Sequence, residues 1–293
     1  MSTETSSLKI SKRNFIDRAL EIDELTAGET GSVGYMSRVF VQMTLPHTKP
    51  AANEFKRVNG SAKITMMADS EIGLPYGSIP RLILAWLSTE AIRTQSREVE
   101  LPDSMAMFLK ELGLTSTGGK NGAINRLKEQ VKRLFSTRIS YVNDRADCFE
   151  NTNFDIATKS KVWWTPKKVN DDYMQSSVLL HEVFYSELMA AAVPIDMRAL
   201  LALKQSPLAM DIYLWLTYRM SYLSNSTVIP WLALQNQFGA EYSRSRDFKV
   251  NFLIQLKKVR AVYPGAKAYE KKNGLMLMPS SPHIKKKLKK QPT

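Results

Sequence analysis

The 293-residue sequence has a single cysteine, Cys148, and only three histidines, His47, His181 and His283. One thiol excludes a disulfide framework and a thiolate metal cluster. Histidines this scarce exclude the paired-histidine metal site of rolling-circle nicking enzymes. Long apolar runs are missing as well. The longest lies around Ile79–Leu87, Arg81 interrupts it, and it is far too short to span a bilayer. The N-terminus lacks the apolar core of a signal peptide, so a cytoplasmic protein without membrane contact is expected. Acidic residues fall short of basic ones: 28 Asp+Glu against 41 Lys+Arg leave a net charge of +13. An excess of this size favours a polyanionic partner, because each Lys or Arg set against a phosphate releases condensed counterions. The remaining composition, 44% hydrophobic and 24% charged, is ordinary for a globular protein, and the length suits two domains.

Residues 1–7 are rich in Ser and Thr and read as disordered. Ser11 is placed to cap a helix reaching about Leu25, with Phe15, Ala19, Ile22 and Leu25 on one apolar face. Asp17, Glu21, Asp23 and Glu24 make it a poor surface for DNA. Beyond a Gly-rich break, Val33–Leu45 alternates as a strand. Asn53–Val58 and Ser61–Met67 flank Asn59-Gly60, a hairpin signal because Asn-Gly accepts the positive φ of a type I′ turn. A long helix is predicted through about Ser96, with Ser78 as cap and Pro80 in its first turn, where the missing N–H costs nothing.

Glu98–Leu101 reads as a short strand, and Met105–Leu112 as a helix capped by Asp103 or Ser104 and ended by Gly113. A turn over 115–122 precedes a periodic helix, Ala123–Thr137. Residues 138–164 alternate like strands, with a turn at Asn143-Asp144 and Trp163-Trp164 at the end. Helix, short strand, helix, turn, helix, hairpin is the order of a winged helix. The second half repeats it: a helix from Ser206-Pro207 to Tyr222, a strand Thr227–Ile229, and a helix from Pro230 to Phe238-Gly239. A turn at Tyr242–Arg246, a helix Asp247–Val262 and a hairpin of Lys267–Lys271 with Leu275–Met278 complete the repeat. The expected fold is α+β, two tandem winged-helix domains, the first with an additional β-hairpin or sheet. Residues 1–29 read as an acidic helical segment, 30–182 and 183–283 as the two winged helices, and 284–293 as a basic tail.

The third helix of each module is the candidate major-groove reader. In the first, Ile124, Leu127, Val131 and Leu134 form the core stripe, leaving Asn125, Arg126, Glu129 and Arg133 on the opposite face with Lys132 beside them. Asn and Arg bond base edges bidentately and Glu accepts from cytosine, although a solvated basic face has the same composition. Lys120 and Asn121 sit among glycines that allow close backbone approach to phosphate. In the second, Phe248, Phe252, Leu256 and Val259 face the core, yet Val250 and Ile254 point the other way. Such a helix is covered by a neighbour, the commoner outcome, or touches thymine methyls. Arg244, Arg246, Lys249, Lys257 and Lys258 give it a cationic rim, and Ile284–Lys290 reads as a non-specific nucleic-acid arm.

Enzymatic patterns fail. Gly113–Lys120 lacks the spacing and the Ser/Thr of a phosphate-binding loop and follows a helix instead of a strand. Asp171-Asp172 has no helper, and Asp196 reads as a helix cap. No catalytic pair, metal or cofactor is expected. The hydrophobic N-terminal hairpin has two readings, cover within its own domain or edge pairing with a second copy into a homodimer.

The run Leu74-Pro75-Tyr76-Gly77-Ser78-Ile79-Pro80-Arg81, continued to Ala91, resembles the signature segment of plasmid-encoded RepA replication initiators. Thr94–Glu98, Thr117-Gly118-Gly119, Arg126-Leu127, Leu134-Phe135, Val193–Asp196 and Asp211–Arg219 extend the likeness over roughly residues 35–265. The resemblance implies binding to direct repeats of double-stranded origin DNA, melting of adjacent AT-rich DNA, and recruitment of the host initiator and replicative helicase. It implies winged helices and inactive or autorepressing dimers as well. Residue patterns alone do not separate an initiator from a transcriptional repressor built of the same modules. A nuclease or primase is a further alternative, as is an RNA-binding protein, which the scarcity of exposed aromatic platforms disfavours.

Deleting residues 284–293 should flatten the salt dependence of DNA affinity by about 0.9 logarithmic unit for each phosphate no longer neutralised. Titrations across a salt series on specific and random duplexes check this, and a changed sequence preference would refute the arm.

Overall fold

The structure, a computed structural model, describes residues 14–117, 119, 122–164, 168–169, 172–173, 175–239 and 242–285. The chain divides into two compact units, one of Tyr35–Ala192 with Asn236–Ala240, the other of Met1–Gly34, Val193–Gln235 and Glu241–Thr293. No helix among the described residues is long and apolar enough to cross a membrane.

Residues 14–24 form α1, and Val33–Met36 form β1. Ile22 is buried as the apolar stripe predicts, but Leu25 is half exposed. Arg198 donates to Leu25 O at 2.7 Å, a carbonyl beyond the helix end, and to Glu21 O at 3.4 Å, which also accepts from Leu25 N. Arg38–Gln42 then turns as a short helix, α2, where alternation predicts a strand to Leu45. Phe40 and Val41 are both buried, and in a run apolar at consecutive positions period two does not discriminate.

β2 (Glu54–Asn59) and β3 (Ala62–Met67) make the expected hairpin. Because Asn59 pairs with Ala62, the loop is Gly60-Ser61, one residue later than the Asn-Gly reading, and Gly60 supplies a φ of 62°. α3 (Ser78–Thr94), β4 (Glu98–Glu100), α4 (Met105–Glu111) and α5 (Ala123–Phe135) follow. Gly77 caps α3 with φ 79°, so Ser78 starts the helix and does not cap it. Ser104 does cap α4, its hydroxyl accepting from Met107 N at 3.2 Å.

β5 (Arg138–Asp144) and β6 (Phe149–Asp155) correct the reading of the first hairpin. Pairing continues through Asp144 and Phe149, so the turn lies at 145–148 and Asn143-Asp144 belongs to a strand. β5 also pairs with β3, which makes a four-stranded antiparallel sheet of order β2-β3-β5-β6. Ile64 and Met66 stand opposite Tyr141 and Ile139 across that seam. Alternation identifies a strand but says nothing about its partner.

The strands that close on β4 are instead β7 (Ala157–Lys161) and β10 (Ser177–Leu180), in the order β4-β10-β7. Between them β8 (Lys168–Val169) pairs with β9 (Asp172–Tyr173). The acidic pair Asp171-Asp172 lies outside the residues with described side chains. α6 (Glu182–Ala191) completes this unit.

The other unit continues through β11 (Val193–Asp196), α7 (Met197–Ala202), α8 (Pro207–Met220), β12 (Thr227–Pro230), α9 (Trp231–Phe238, of which residues 236–238 are counted with the first unit), α10 (Ser245–Val262), β13 (Ala268–Lys271) and β14 (Gly274–Leu277). Ser206 caps α8 by accepting from Ala209 N, and Asp196 caps α7 by accepting from Arg198 N. Its sheet runs β12-β14-β13. Helix, strand, helix, helix and a pair of strands joined to the first strand therefore occur in both halves, with β5 and β6 inserted after α5 and β8–β9 between β7 and β10 in the first. Each time the last strand lies between the other two.

Strand β14 approaches β12 so closely that a Cβ on Gly274 would lie 2.2 Å from Ile229 O. Gly274→Ala should therefore destabilise the fold by about 1–3 kcal/mol, the usual cost of overpacking, measurable as a lowered denaturation midpoint.

Candidate nucleic-acid interface

Helix α5 buries Ala123, Leu127, Val131 and Leu134, and exposes Asn125, Arg126, Glu129 and Lys132. The turn ahead of it is tied to its first residues. Thr117 Oγ1 accepts from Ala123 N at 2.9 Å, and Asn125 Nδ2 donates to Gly119 O at 2.9 Å. Lys120 and Asn121 lie outside the described residues.

Arg133 does not share the exposed face that periodicity assigns to it. It is buried, and its guanidinium donates to Glu129 Oε1 at 2.7 and 3.1 Å and to Leu74 O at 3.1 Å. It also lies 5.4 Å from the Tyr76 ring centroid, and Gln130 Oε1 accepts from Tyr76 N at 2.9 Å. Both residues thus grip the segment leading into α3. A Cβ on Gly73, whose φ is 74°, would come within 2.7 Å of Arg133 Nη1. A helical wheel shows which residues share a face, but not that residues 73–76 cover one end of it.

The flank of α5 carries a group that sequence reasoning missed. The ammonium groups of Lys128 and Lys132 stand 5.9 and 5.6 Å from the Trp164 ring centroid, and that of Lys161 stands 5.1 Å from Trp163. Trp163 N donates to Ser176 Oγ at 2.9 Å, which ties these aromatics to the β10 side of the strand pair. Cation–aromatic contacts at partly exposed sites contribute about 0.5–1 kcal/mol. Here they gather three lysines where the β7–β10 pair leaves the module. The available signal was the adjacency of two tryptophans to Lys161, Lys167 and Lys168.

In the other unit α10 buries Phe248, Phe252, Leu256 and Val259, as its spacing predicts. Val250 and Ile254 are 53% and 49% exposed, so no described segment of this chain covers them, contrary to the commoner of the two readings. The predicted cations separate into two sets. Arg244 pairs with Asp247 at 3.0 Å, and Lys249 pairs with Glu270 at 2.8 Å while lying 5.0 Å from the Trp231 ring centroid. Arg246, Lys257 and Lys258 are on the exposed side of the helix.

A buried cluster of titratable groups lies elsewhere in this unit. The Tyr213 hydroxyl is 2.9 Å from His283 Nδ1 and accepts from Asp196 N at 2.9 Å, while Arg198 pairs with the Asp196 carboxylate at 2.7 Å. His283 stacks on Tyr263, their ring centroids 4.7 Å apart. Burial pushes both tyrosine hydroxyls up and the His283 imidazole down, with the Asp196 charge opposing the second shift. The Tyr263 hydroxyl also donates to Ser281 O, so the cluster anchors the chain just before the basic run. Among the described residues no group of three or more His, Cys, Asp or Glu is placed to hold a metal ion.

Two solved structures share this architecture. Domains 2 and 3 of RctB superpose with a TM-score of 0.54 at 13% identity, covering 84% of this chain and 98% of that one. A second structure of RctB domains 2–3 gives 0.51 at 15% identity, covering 81% and 94%. At such identities the likeness is one of fold. No curated protein matches the chain. Residues 74–231, more than half of the sequence, match the family model of plasmid-encoded RepA protein. The chain belongs to this family of plasmid replication initiators.

Arg133→Ala should cost about 1–3 kcal/mol of stability, because it leaves buried partners unsatisfied, whereas the exposed Arg126→Ala should stay within about 0.5 kcal/mol. Denaturant unfolding of the two variants compares them directly.

Proposed function

We propose that this protein binds repeated sites in double-stranded origin DNA through two winged helices, one in each unit, with α5 and α10 laid in the major groove. The twice-repeated order of elements, with the last strand central each time, carries this reading. In both repeats the third helix turns basic residues outward. Lys128 and Lys132, gathered at Trp164, suit phosphates beside the groove, as do Lys120 and Asn121 ahead of α5. Asn125 and Arg126 suit base edges. The β7–β10 and β13–β14 pairs serve as the wings.

Binding energy alone does the work, and no covalent step is involved. Phosphate contacts fix register, base contacts select the repeat, and several bound copies bend and strain the neighbouring AT-rich DNA. The opened strand then receives the host initiator and replicative helicase in the cytoplasm of the plasmid-bearing cell.

Footprinting on supercoiled DNA carrying the plasmid origin, with permanganate to mark unpaired thymines, tests the proposal. Protected direct repeats beside a reactive AT-rich stretch are expected. Protection of one inverted repeat without opening, even with the host initiator present, would place the protein among repressors. On a single repeat, Arg126→Ala should weaken binding by about 1–3 kcal/mol and spare random DNA. Equal loss on both would make Arg126 a phosphate contact.

A further inference from the structure

We propose that the exposed stripe of α10 reads the 5-methyl groups of thymine, with Val250 and Ile254 as the reading side chains. The inference depends on α10 being a major-groove helix, as proposed above, and it adds what that helix recognises. Arg246, Val250, Ile254 and Lys257 follow one another at four, four and three residues, so they share one face of the helix. That face is exposed from end to end.

Two half-exposed β-branched side chains in mid-helix contribute little to the fold itself. Valine and isoleucine are weaker helix formers than the lysine or glutamate that usually fill solvent positions. The polar side chains near the middle of α10 are already engaged. Asn251 Nδ2 donates to the Tyr242 hydroxyl, Gln255 Nε2 donates to Asn251 Oδ1 at 3.0 Å, and Lys249 is held by Glu270. What α10 offers outward at its centre is aliphatic, whereas α5 offers Arg126 and has its Asn125 amide turned back to Gly119 O.

The charge pattern selects DNA as the occupant. Arg246 and Lys257 lie eleven residues apart, roughly 16 Å along the axis, comparable with a major groove about 12 Å wide. Cations at both ends can therefore meet the phosphates bordering the groove while the aliphatic centre faces base edges. Val250 and Ile254 are separated by about 6 Å, close to two base-pair steps of about 3.4 Å. In that groove thymine alone presents a methyl group. A protein partner fits less well, since two half-exposed side chains fall far short of the roughly 800 Å² per partner in a stable interface.

Deoxyuridine keeps every hydrogen-bonding edge of thymidine and lacks only the methyl, so it isolates the contact. The full chain, its Ile254→Ala and Val250→Ala variants, and a single-repeat duplex with one thymine at a time replaced by uracil form the experiment. Wild type should lose about fourfold in affinity at one or two positions, the equivalent of ~0.8 kcal/mol for one buried carbon. At one such position Ile254→Ala should bind the thymine duplex more weakly and show no further loss with uracil. Val250→Ala should behave likewise at a position about two steps away.

Sequence-specific binding by wild type that ignores every uracil would overturn the inference and leave the DNA-binding reading intact. Absence of any preference for the repeat over random DNA would instead sink that underlying reading. Unchanged DNA affinity of both variants with a shifted sedimentation coefficient would make the stripe a protein interface, and the inference would again be wrong.

Discussion

Helix α3 is buried on almost every side, and Arg81 is buried with Leu82, Ile83, Leu84, Ala85 and Leu87 around it. Its guanidinium donates to Gly77 O at 2.6 Å, Leu45 O at 2.7 Å and Pro46 O at 3.2 Å. A cation taken out of water costs several kcal/mol unless its hydrogen bonds are replaced, and these carbonyls face the same requirement. Arg81 therefore sets the rotation of α3 and locks the segments before it. The grip of Arg133 and Gln130 on Leu74 and Tyr76 then joins that segment to α5. The direction in which Arg126 and Lys132 point follows from this arrangement.

The other unit meets the same demand with different atoms. α8 buries eleven of its residues, Ile212–Leu216 among them, and Tyr213 brings a hydroxyl into that interior. Asp196 N and His283 Nδ1 satisfy it, which ties β11 and the end of the described chain to the central helix. In both units one all-round apolar helix needs polar pinning, and the pinning holds the outer helix in register. The outer faces are free to differ because stability does not depend on them. Polar side chains on α5 and aliphatic ones on α10 are alternatives that the same scaffold supports.

Much of this was legible in the sequence. Apolar spacing placed α5, α8 and α10 within a few residues, Ser104 and Ser206 announced their helices, and the order of helices and short strands from α3 to α5 and from α8 to β14 was readable without coordinates. The misreadings have physical causes. Val39, Phe40 and Val41 are apolar at consecutive positions, so periodicity did not separate a strand from the helical turn at Arg38–Gln42. β5 and β6 look like a wing because alternation marks strands but not partners, and β3 claims β5. Trp163 and Trp164 ended a strand on paper, and only folding sets Lys128 and Lys132 beside Trp164.

The sequence by itself determined the local elements, the +13 charge and the family likeness, since each is a property of neighbours along the chain or of residue counts. Only the tertiary structure decided which cations remain for a partner. It buried Arg133 against Leu74, paired Lys249 with Glu270, and left Arg126, Lys257 and Lys258 outward. The reason is that a side chain's role depends on what another segment brings over it. Periodicity within one helix carries no information about that segment.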